Sequence, residues 1–87
     1  MFELGQIVAT PGALEFMATN NVSAGDLIHR HLAGDWGDLD KEDKKRNNEA
    51  LIDGSRIFSS YNVGESKVWV ITESDRSSTC LLLPSEY

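Results

Sequence analysis

The chain has 87 residues and a formal net charge of −6 at pH 7. A chain of this size forms one domain with a thin core, burying only about 60–65% of the surface its unfolded form exposes. The acidic balance repels a phosphate backbone, which makes nucleic acid a disfavoured partner, and the single cysteine, Cys80, excludes an internal disulfide and points to a reducing compartment.

The opening stretch MFELGQIVATPGALEFMA lacks the basic flank and unbroken apolar run of a secretion signal, and no segment is long enough to span a bilayer. The expectation is a cytoplasmic protein without membrane contact. Residues Met1 to Gly5 read as a frayed start. Gln6-Ile7-Val8-Ala9 reads as a short strand that pairs with the edge of a sheet. Thr10-Pro11 is a cap followed by the residue best suited to a first helical turn, so a helix starts there. Leu14, Met17 and Ala18, with Phe16 beside them, predict its buried face, and Asn20-Asn21 its end.

A second helix is signalled by Ser23 and Asp26, a capping-box variant, and by the apolar pair Val22 and Leu27. Leu27, Ile28, His31 and Leu32 share its inner face, and Gly34 stops it. His31 on an apolar face is either a hydrogen-bonded core residue or a site residue whose imidazole titrates near neutrality. Gly34-Asp35-Trp36-Gly37-Asp38 is a loop that either plugs Trp36 into the core or holds it out as an anchor. The expected arrangement is an inward or half-buried ring, with its edge and the flanking Asp35 and Asp38 forming a binding surface. A third helix begins at Asp40, with Asp43 in its first turn and Gly54 at its end. Ala50, Leu51 and Ile52 are its only apolar residues and predict its buried face.

The last third carries three strand-like runs, Arg56–Tyr61, Lys67–Thr72 and Ser78–Leu83. The links between them are too short for a parallel crossover, which predicts an antiparallel meander. The fold class expected is α+β, with N-terminal helices on a three- to four-stranded antiparallel sheet and one domain over residues 1–87. Both faces of the last two strands are apolar, which calls for a second cover: the short first strand, or another subunit in a homodimer through the sheet.

Several chemistries are tested by spacing. Asp38, Asp40, Glu42 and Glu49 fall at calcium-loop positions, but Asp43 replaces the required glycine and Lys44-Lys45-Arg46 occupies the cation's place. Zinc lacks ligands, with one Cys and two His. No metal or cofactor is expected. Cys80 lies in an apolar strand, where burial makes a thiol inert. One catalytic set survives: His31, Arg56 and the hydroxyls of Thr72, Ser78 or Thr79 are the groups needed to move protons and neutralise a phosphate during RNA cleavage. The order of helices and antiparallel sheet is similar to barnase-like and toxin ribonucleases, an architectural resemblance over about the last sixty residues.

LGQIVATPGAL, RHLAGDWGDLDKED and VWVITESDRSSTCLLLPSEY resemble, over nearly the whole chain, a family of small bacterial proteins often labelled plasmid-related, some with a restriction-modification label. The resemblance implies no catalytic residue. It implies a cytoplasmic bacterial protein that travels with mobile DNA. That context raises an acidic DNA mimic, with Asp35, Asp38, Asp40, Glu42 and Asp43 as its stripe, although Lys41, Lys44, Lys45 and Arg46 dilute it. The preferred expectation is a non-enzymatic interaction or accessory module of a mobile-element system, binding an unidentified protein through the Trp36 loop.

Overall fold

A computed structural model describes residues 2–87. Met1 of the expected frayed start lies outside them. The elements run β1 (Gln6–Ala9), α1 (Pro11–Thr19), α2 (Ala24–Leu32), α3 (Lys41–Asp53), β2 (Ile57–Val63), β3 (Ser66–Thr72) and β4 (Ser78–Leu82), followed by a 3-10 turn, Pro84–Glu86. The sheet order is β1-β4-β3-β2. The meander forms as its short links require: β2 and β3 are antiparallel with Ser59 opposite Val70, and β3 and β4 with Val70 opposite Leu81. The sheet is nevertheless mixed, because β1 lies parallel to β4, with Ile7 beside Thr79. Everything from α1 to β3 lies between these two strands in the chain, which gives ample length for a parallel return. The expectation of a purely antiparallel sheet is corrected at this strand.

Alternation sorts the strands into two faces. Tyr61 and Val63 of β2, Val68 and Val70 of β3 and Leu81 of β4 pack against Ala13 and Met17 of α1 and Leu27 and Ile28 of α2. A second cluster joins Trp36, Ala50 of α3 and Ile57, with Phe2 and Leu39 against it. Phe2 here and Leu4 against the first cluster are therefore part of the packing rather than frayed.

Capping follows the sequence at two of three helices. The Thr10 side chain accepts from the Ala13 amide at 3.1 Å, and that of Asp40 from the Asp43 amide at 2.8 Å. Ser23 occupies its cap position without a side-chain bond; its carbonyl accepts from the Asp26 amide instead. Two buried faces differ from expectation. In α1 the inward residues are Ala13 and Met17, while Leu14 is 52% exposed. The Thr10 amide continues the β1–β4 ladder by donating to the Leu81 carbonyl at 3.0 Å, so the strand sets the helix's phase. In α3 the inward residues are Asn47 and Ala50, and Ile52 is 90% exposed.

Candidate functional site

His31 is fully buried under the sheet, within a chain of hydrogen bonds. Its Nδ1 lies 2.6 Å from Ser59 Oγ, its Nε2 2.9 Å from Thr72 Oγ1, and Thr72 Oγ1 2.7 Å from Thr79 Oγ1. The Thr79 hydroxyl donates to the Leu4 carbonyl at 2.7 Å. Each hydroxyl has one proton, so this last bond fixes the rest. Thr79 accepts from Thr72, Thr72 accepts from His31 Nε2–H, and Ser59 donates to the bare Nδ1. The imidazole is thus held as the neutral Nε2–H tautomer. Phe2 and Trp36 close its sides in edge-to-face contacts with centroids 5.3 and 5.9 Å away. Burial without a carboxylate partner lowers its pKa from 6.5 to about 4.

The set expected for RNA cleavage is divided by the sheet. His31, Thr72 and Thr79 come together on the helix side without solvent access. Arg56 and Ser78 belong to the other side by strand alternation, and Arg56 donates to the Tyr87 hydroxyl at 2.7 Å. A base sealed beneath one face cannot share a substrate with a cation on the other.

The Trp36 loop is drawn into the fold. Its ring is 4% exposed, and Nε1–H donates to Asn48 Oδ1 at 3.1 Å. Asp35 takes Arg30 Nε–H at 2.7 Å, and this bond lowers its pKa. Its carbonyl also accepts from the Tyr61 hydroxyl at 2.7 Å, and burial pushes that phenol up to about 12. Asp38 accepts from Asn62 at 3.0 Å and Lys67 at 3.2 Å, which holds its carboxyl below the usual range. Backbone bonds lay the loop along the outer edge of β2: Ser60 N to the Trp36 carbonyl at 3.2 Å, and Asp38 N to the Ser60 carbonyl at 2.6 Å. Gly37 is required between them. Its φ is +76°, and a Cβ there would strike the Ser60 carbonyl. Further along the same edge Asn47 replaces a neighbouring strand, its Oδ1 accepting from the Phe58 amide at 3.0 Å and its Nδ2 donating to the Phe58 carbonyl at 2.5 Å. The Trp36 ring is thus inward, while the side chains of Asp35 and Asp38 stay at the surface, 51% and 57% exposed, each beside a cation.

A row of aromatic side chains lies on the face turned away from α1 and α2. Phe58 and Trp69 meet edge to face with centroids 5.0 Å apart, and Trp69 and Tyr87 at 5.6 Å. Phe58 and Trp69 are half-buried and Tyr87 is 69% exposed. Two hollows share the Phe58 and Trp69 rings. One, of about 180 Å³, is lined also by Arg56, Ile71 and Tyr87. The other, of about 420 Å³, reaches Leu39, Pro84 and the carboxylates of Asp38, Asp40 and Asp43. Alternation in the strands had marked this second apolar face, but not which residues would stay open, because the crossing of Pro84–Glu86 and Tyr87 is a tertiary event. Cys80 sits on the same face with its thiol pushed up, chiefly by burial.

Compared with family models, curated proteins and solved structures, the chain matches none. Among the described residues no three His, Cys, Asp or Glu side chains gather to hold a metal ion, and no helix is long and apolar enough to cross a membrane.

Proposed function

We propose that the protein is a non-enzymatic interaction module whose contact surface is the sheet face around Trp69. The observation that carries this reading is the row Phe58–Trp69–Tyr87, left accessible between two hollows while every other large ring except the half-buried Phe2 and Phe16 is buried. Aromatic anchors set in concave sites dominate binding energy in protein interfaces. Aromatic sheet faces also stack nucleotides, but here Asp38, Asp40 and Asp43 border the rings and the net charge is −6, which favours a protein over a phosphate chain. The closed His31 network favours binding over RNA cleavage. An accessory role beside mobile DNA is the part of this reading that rests on the sequence resemblance alone.

The test is photo-crosslinking in cells, with a benzophenone amino acid placed at Phe58 and, as control, at the exposed Glu15 of α1. A discrete product from position 58 alone supports the reading, and its mass separates a foreign partner from a second copy. No product from position 58, or equal labelling from both positions, refutes it.

A further inference from the structure

We propose that the larger hollow receives a basic peptide segment, with a lysine or arginine stem lying on Trp69 and Phe58 and its charged head at Asp40 and Asp43. The inference rests on reading this sheet face as an interaction surface and names the chemistry of the partner.

The floor of the hollow is apolar and aromatic, built from Leu39, Phe58, Trp69 and Pro84. Such a floor suits the methylene stem of a long cationic side chain, which lies along apolar surface while its head seeks polar partners. An indole face adds attraction for the cation itself. The wall carries three carboxylates and one cation, Lys67, and that cation is engaged with Asp38 at 3.2 Å. Asp40 and Asp43 are the other two acidic residues of the lining. Asp40 spends one oxygen on the Asp43 amide, and Arg46 reaches Asp43 only at 3.9 Å from a largely exposed position. Asp40 has no ion-pair partner among the described residues, Asp43 has only this loose contact, and the molecule as a whole carries −6. An acidic segment would meet these two groups without compensation. A neutral apolar one would cover them and strip them of water. A basic one satisfies both the floor and the wall. Arg56 lies beyond the shared rings in the smaller hollow and so does not cancel the carboxylates at this end.

The probe is a displayed library of random dodecapeptides, selected in parallel on the wild-type protein and on an Asp40→Asn/Asp43→Asn variant. Asparagine caps a helix as well as aspartate does, so α3 keeps its start, and circular dichroism checks the fold. The expected result is that wild type enriches peptides in which Lys or Arg adjoins an aromatic or aliphatic residue. A synthetic copy of the leading peptide should shift the Trp69 fluorescence and bind the double variant about fivefold more weakly, the effect of two modest ion pairs. Enriched peptides without an excess of basic residues, or basic peptides that bind the double variant equally, overturn the inference and leave the interaction surface standing. No enrichment on the wild-type protein overturns the inference, and crosslinking from position 58 then decides the broader reading independently.

Discussion

Acidification should weaken this protein through His31 before it touches the carboxylates. In the native state the imidazole is sealed among Ser59, Thr72, Phe2 and Trp36, with a pKa of about 4. In the unfolded chain it returns to its ordinary value near 6.5. Between these values the unfolded chain binds the extra proton, so stability rises with pH across the window. The contribution is complete above about pH 6.5 and is lost as pH falls towards 4, in total roughly 3 kcal/mol. Carboxyls lowered by their partners, such as Asp35 with Arg30, lose their contributions below that range. The assay is urea unfolding at a series of pH values on the wild type and on His31→Gln, which retains a neutral hydrogen-bonding side chain but does not titrate. Wild type should lose about 2–2.5 kcal/mol between pH 7 and pH 4.5. His31→Gln should start less stable and stay nearly flat over the same interval. A flat wild-type profile, or equal slopes in both proteins, would refute the reasoning.

Trp36→Ala removes a buried ring and should cost about 3–5 kcal/mol in denaturant unfolding; a loss below about 1 kcal/mol would mean that the ring is not packed as described. Asn47→Ala leaves the Phe58 amide and carbonyl without their partner and should cost roughly 1–3 kcal/mol, with faster hydrogen exchange at the Phe58 amide as the local readout. Gly37→Ala combines a left-handed φ with a collision at Ser60 and should lower the melting temperature, whereas Ala at Gly54, where φ is +81° but nothing lies within 4 Å, should be the milder change. If the two substitutions prove equal, the close approach of the loop to β2 is not what Gly37 is for.

Punctuation in the sequence proved readable where it acts locally. Thr10-Pro11, Asp40 and Gly54 mark the ends of helices because the groups they satisfy are within a few residues. The meander was equally legible, since links as short as Gly64-Glu65 leave the chain no other way to return. Choices made by distant parts of the chain could not be read this way. Leu14 and Ile52 look like core residues by composition, yet the docking of α1 and α3 turns them out. Asn47 looks like an ordinary polar helix residue, and its value as a mimic of a strand exists only when Phe58 lies opposite. For His31 the sequence left two meanings open, and the hydroxyls that decide between them come from three different strands.

Parallel pairing of β1 with β4 also governs when this fold can exist at all. Gln6 is aligned with Ser78, and Ala9 with Leu81, so nearly the whole chain is a loop closed by one four-residue ladder. On a ribosome β1 emerges early and finds no partner until β4 has been made. The helices wait on the same strands, because their inner faces rest on Val68, Val70 and Leu81, which follow them in the chain. Contacts of such long sequence separation carry their loop-closure entropy before any reward, which slows folding and favours a concerted transition over assembly piece by piece. The β1–β4 pairing therefore closes late in folding, after the meander that supplies β4.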